Sequence, residues 1–181
     1  MFIPVGYLYK KIVLKPDWLA ANVDDICSVS GCVSENFTDY INYWLHNGYW
    51  LFDSPQIMQQ IAQKEALDIS SMQLHFYEAY TLAYDEHEKQ WISFEPDASF
   101  ITNIQIPQKK QLLGFDVVTF SGGNIPECSP LSCNHLAAEI AVNRHCLFDR
   151  FEDAKQALEQ GVFDNSEPGP FRIYAVYQVE Q

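Results

Sequence analysis

Residues 127–146, "ECSPLSCNHLAAEIAVNRHC", hold three of the chain's five cysteines and two of its five histidines. Thiolate and imidazole bind zinc-like metals and also drive nucleophilic catalysis, so two chemistries are open to this segment. A zinc centre would pair Cys128 with Cys133 and add His135, His145 or Cys146. It could instead recruit Cys27 and Cys32, whose spacing is the same, to give the four-thiolate set Cys27, Cys32, Cys128 and Cys133. A thiol enzyme would use Cys128 or Cys133 as nucleophile. Ser129-Pro130 reads as the cap and first position of a helix, and unpaired N–H groups at a helix start favour a thiolate. His135 or His145 would then be the base, Glu127 or Asn134 would orient it, and the amides of "SGGN" (121–124) would bind an oxyanion.

Neither set meets a signature of known spacing. Leu131, Leu136, Ala137, Ile140, Val142 and Leu147 supply an apolar setting, and free cysteine behaves as a small hydrophobe. The sequence therefore favours a packing role for the thiols, with no metal and no cofactor. Elsewhere, Glu78 stands in the middle of an apolar strand face, where a carboxylate must be paired or protonated. The run "DEHEK" (85–89) has ligand-type residues, but contiguous residues on a turn converge poorly on one ion.

The elements that must position these groups are read from periodicity. Residues 2–14 read as a first strand. Ser34 begins an amphipathic helix carrying Phe37, Tyr40, Ile41, Trp44 and Leu45, stopped at Asn47-Gly48. Ser54-Pro55 opens a second helix with Ile57, Met58, Ile61 and Ala62 inward. Period-two alternation over 73–84, the charged turn and "WISFEP" form a hairpin. "FITNIQIP" and "LLGFDVVTFS" read as two more strands. A helix runs from Ser129-Pro130 toward Ile140, another over "RFEDAKQALEQG", and "FRIYAVYQV" is a terminal strand. No repeat is visible. This pattern predicts a single α+β domain over residues 1–181, with a mainly antiparallel sheet of about five or six strands and helices on one face.

Charge excludes more than the motifs do. The net charge is −13, and residues 16–108 carry fourteen acids against Lys64 and Lys89. A nucleic-acid backbone or an anionic membrane needs basic groups, so neither is an expected partner. No apolar run reaches the roughly 18–20 residues of a membrane span. The order of charge and apolar residues at the N-terminus is wrong for a signal peptide, which points to the cytoplasm. P-loop, dinucleotide-binding, HExxH and GxSxG patterns are absent.

By elimination the sequence reads first as a binding protein. A thiol- or zinc-dependent enzyme using residues 127–146 is the alternative, and an orphan domain whose acidity serves only solubility is the third reading. In the first reading the acidic block would steer a basic protein partner, with Trp44, Tyr49, Trp50, Asp53, Asp85, Glu86 and Glu88 as contact residues. In general character the chain is similar to bacterial immunity-type inhibitors, which implies that it would neutralise a basic toxin.

Overall fold

The computed structural model describes residues 1–33, 37, 47–95, 102–120 and 127–180. The expected helix over 34–46, with Trp44, and the "SGGN" segment lie outside the described residues, apart from Phe37. A sheet of five strands forms the centre. Its members are β1 (Phe2–Lys10), β4 (Gln73–Asp85), β5 (Gln90–Ser93), β6 (Lys110–Thr119) and β7 (Phe171–Val179). The order is β1-β4-β7-β6, with β5 hairpinned onto β4, and every pairing is antiparallel. Two short strands, β2 (Val13–Leu14) and β3 (Asp25–Ile26), pair separately. The class is α+β, as expected.

Helix α1 (Pro55–Glu65) starts where Ser54-Pro55 places it and buries Met58 and Ala62. It ends at Ala66, which takes the left-handed conformation at φ 55°. Helix α3 (Phe151–Glu159) buries Ala154, Ala157 and Leu158. Two expectations fail. The segment 102–107 forms no strand, because its polar groups bond to Asp53: Gln105 N–H donates to the Asp53 carbonyl and Asn103 N–H to its carboxylate. The helix expected from Pro130 to Ile140 stops after one turn, α2 (Pro130–Cys133). His135, at φ 60°, breaks it, and a 3-10 turn over Leu136–Ala138 follows.

The expectation of no repeat is also overturned. The sequence N-x-x-x-L-F-D occurs at Asn47–Asp53 and again at Asn143–Asp149, and both copies do the same job. Asn47 Nδ2 donates to the carbonyl of Val5, and its Oδ1 accepts from the amides of Tyr49 and Leu51. Asn143 Nδ2 donates to Leu113 O, and its Oδ1 accepts from His145 and Leu147. Phe52 bridges to Tyr7 of β1, as Phe148 bridges to Phe115 of β6. The bridge leads into α1 in one copy and α3 in the other. Each outer strand has a register shift at a glycine, Gly6 in β1 and Gly114 in β6.

The two halves are related by a pseudo-twofold axis normal to the sheet. Gly6 pairs with Tyr77 and Gly114 with Val176, so Tyr77 and Val176 are equivalent positions. They also face each other across the central β4–β7 pair, which puts the axis between them. Rotation about that axis keeps α1 and α3 on the same face. There α1 packs on β1 and α3 on β6 and β7, with Phe151 of α3 meeting Phe2, Tyr80 and Phe115.

The repeated glycine geometry is a point of weakness. At φ +150°, a Cβ on Gly114 would lie 2.6 Å from Phe148 O and 2.8 Å from Asn143 Nδ2. Gly114→Ala should therefore cost about 2–3 kcal/mol, through strained backbone and displacement of the 143–148 segment. Urea denaturation checks this; a change under about 0.5 kcal/mol would mean that the close approach is not needed.

Candidate metal centre

The motif C-S-x-x-x-C also occurs twice, at Cys27–Cys32 and Cys128–Cys133, each between an outer strand and the following N-x-x-x-L-F-D segment. The loop carrying the first copy is held by a buried lysine. Lys10, at the end of β1, is 2 % exposed and donates to the carbonyls of Ser28, Val29 and Ser30. Burial lowers its pKa to about 8, opposed by the nearby Asp116 carboxylate. Asp116 ties the two copies together: its Oδ2 accepts from Val29 N–H at 2.7 Å and from Ser129 Oγ at 2.6 Å. Ser129 Oγ in turn accepts from Ser30 N–H at 3.2 Å. Burial pushes the Asp116 carboxyl up to about 6.

This clamp brings three sulphurs together. Cys32, Cys128 and Cys133 place their Sγ atoms within 4.8 Å of one another. Cys32 is exposed, Cys133 half-buried and Cys128 buried. The remaining polar contacts are few: Cys32 Sγ donates to Glu127 O at 2.8 Å, Cys128 Sγ to Asn134 Oδ1 at 3.4 Å, and Ser30 Oγ lies 3.7 Å from Cys133 Sγ. Hydrogen bonds from Cys128, and then from Cys133, hold Cys32 far below the ordinary thiol range, with Lys10 adding to the effect. Hydrogen bonding to Cys133 and Cys32 pushes Cys128 far above it. The three sulphurs are therefore linked to one another through hydrogen bonds.

Three sulphurs at this separation suit a tetrahedral ion. Zn–S bonds of about 2.3 Å put neighbouring ligand sulphurs about 3.8 Å apart, inside the 4.8 Å within which these three lie. An ion held by all three would bind them as thiolates, their protons leaving to solvent, and the weak S–H hydrogen bonds to Glu127 O and Asn134 Oδ1 would give way to metal–sulphur bonds.

The other sequence candidates are placed as follows. Cys27 is not with the other three; it lies beside Asp25 and His145. His135 is exposed and stacks on Trp18, ring centroids 4.7 Å apart. Cys146 is buried at φ 60°, and burial pushes its thiol up to about 12. Glu78 is paired: Lys110 bonds to one carboxylate oxygen, and Tyr177 Oη donates to the other at 2.8 Å.

Several acidic-block contact residues point inward. Tyr49 is buried beside Phe94 and the Arg172 guanidinium. Asp53 is buried and accepts from Asn47 and Asn103. Asp85 accepts from His87 N–H and Glu88 N–H, shaping the hairpin turn, and Glu86 accepts from Gly169 N–H. Trp50 is half-buried and Glu88 exposed. A groove of about 440 Å³ between α1 and the sheet, lined in part by Tyr7, Tyr9, Gln56, Gln59 and Lys109, contains none of the cysteines.

The clamping roles of Lys10, Asp116 and Ser129 are not legible in the sequence, where Ser129 reads only as a helix cap. A lysine ending a strand and an aspartate inside "GFDVV" carry no motif. The available signal was the apolar run around Asp116, which buries it among Val117, Val118 and Thr119. No protein-family model, curated protein or solved structure matches the chain. Among the described residues no helix is long and apolar enough to cross a membrane.

Proposed function

We propose that this chain is a metal-binding protein, and that Cys32, Cys128 and Cys133 hold a zinc-class ion as thiolates. The observation that carries the reading is the convergence of the three sulphurs within 4.8 Å from two separate loops. Two features support it. Thiolate donors select zinc or copper(I) over magnesium or calcium. Three thiolates on a divalent ion leave one negative charge, and the Lys10 ammonium beside the loop offsets it. Exposure of Cys32 leaves the ion reachable from solvent, as in zinc sites that keep a position for an outside ligand.

Cobalt(II) titration of the reduced protein tests the reading. An intense sulphur-to-cobalt charge-transfer band is expected, strongly reduced in Cys32→Ser and Cys133→Ser. An unchanged band in both variants would overturn it.

The net charge of −13 supports a second reading, an acidic cytoplasmic inhibitor of a basic protein, with exposed Glu88 among its contacts. Its association with such a partner should slow as salt rises.

A further inference from the structure

We infer that Asp25, Cys27 and His145 form a second metal site, for a borderline divalent cation such as zinc. It rests on different residues from the three-sulphur site. One carboxylate, one thiol and one imidazole present their donor atoms within 4.8 Å of one another. His145 Nδ1 lies 2.7 Å from Asp25 Oδ1, and Cys27 Sγ lies 3.5 Å from the same oxygen and 4.0 Å from the same nitrogen.

This geometry is wrong for a catalytic triad. There the imidazole must meet the nucleophile with one nitrogen and the carboxylate with the other. Here both partners sit on Nδ1. Donors that converge on one point are instead what a cation needs.

Their supports are rigid. Asp25 and Cys27 stand on and just after β3, and backbone bonds fix them to the histidine segment. Asp24 N–H and Asp25 N–H donate to Arg144 O, and Cys27 N–H donates to His145 O. The Asn143 side chain accepts the His145 amide at 2.9 Å and anchors to Leu113 O, so the second N-x-x-x-L-F-D copy aims the ring. Charge also balances. A carboxylate, a thiolate and a neutral imidazole make a divalent ion's site neutral, which suits its partial burial, with side-chain exposures of 21 % for His145 and 19 % for Asp25.

The mixed donor set sets the selectivity. Nitrogen, oxygen and sulphur together suit zinc or cobalt(II), whereas copper(I) prefers sulphur alone. Native mass spectrometry of the reduced full chain, with zinc acetate and separately with copper(I), reads both sites at once. Two zinc ions are expected on the unaltered protein and one copper(I). His145→Ala and Cys27→Ser should each leave one zinc, and Cys32→Ser should leave the other one, with circular dichroism confirming that each variant is folded. One zinc that survives His145→Ala and Cys27→Ser but not Cys32→Ser overturns the second site and leaves the three-sulphur site standing. One zinc lost with His145→Ala and kept in Cys32→Ser does the reverse. No bound zinc overturns both.

Discussion

Lys10→Met should destabilise the protein by about 3–5 kcal/mol, the usual effect of removing one partner from a buried charge arrangement. Three backbone carbonyls, of Ser28, Val29 and Ser30, lose the ammonium that satisfies them, and Asp116 loses the cation that favours its charged form. Part of the loss should return in Lys10→Met/Asp116→Asn, because the second change removes the stranded carboxylate. The same substitution should weaken zinc binding by at least about tenfold, since the carbonyl clamp fixes the loop that ends in Cys32. A tenfold loss corresponds to about 1.4 kcal/mol. Urea denaturation and competitive zinc titration measure the two effects. If stability stays within about 0.5 kcal/mol of the parent, Lys10 is not the organising charge.

Acid should destabilise the protein through His75. This residue sits fully buried on the central strand β4, and among the described residues neither ring nitrogen meets a hydrogen-bond partner of good geometry. Burial lowers its pKa to about 3, helped by the Lys10 ammonium and by His145. The folded state therefore holds the neutral ring while the unfolded chain takes up a proton near pH 6.5. Stability from this group is complete above about pH 6.5 and drains away as pH falls toward about 3. Between pH 7 and pH 5 the loss is roughly 2 kcal/mol. His75→Phe keeps a ring of similar size and cannot charge, so it should lack that part of the slope. Urea denaturation of both proteins at the two pH values gives the difference. Parallel slopes would mean that the ring is solvated or already paired.

Periodicity revealed the elements that are locally determined. Helices α1 and α3 each bury a face whose spacing is visible in the chain, the β4–β5 hairpin is marked by its charged turn and β7 by its apolar run, and Ser54-Pro55 marks a helix start without help from tertiary contacts. Other features depend on partners far away in sequence. The 102–107 segment has strand-like composition, but Asp53 takes its amides. Tyr49 and Asp53 look like surface anchors because aromatics and acids cluster there, yet the Asn47 turn folds both inward.

The internal duplication lay in plain sight as paired C-S-x-x-x-C and N-x-x-x-L-F-D strings. The loops between the motifs differ in length, so the duplication has no fixed period. The matching cysteine spacing was visible in the sequence. What decided its meaning was the crossing of two loops, set by Lys10, Asp116 and Ser129, and neither loop encodes that crossing by itself. The packing role expected for all the thiols fits buried Cys146 and does not describe the exposed Cys32.

The most direct measurement of the thiolate centre is metal content. The protein should be purified without a polyhistidine tag under reducing conditions and assayed by elemental mass spectrometry beside its Cys32→Ser variant. The account predicts close to one or two equivalents of zinc on the unaltered chain, with one equivalent fewer on the variant. Less than roughly a tenth of an equivalent on the unaltered chain, with no uptake when zinc is supplied, would contradict it.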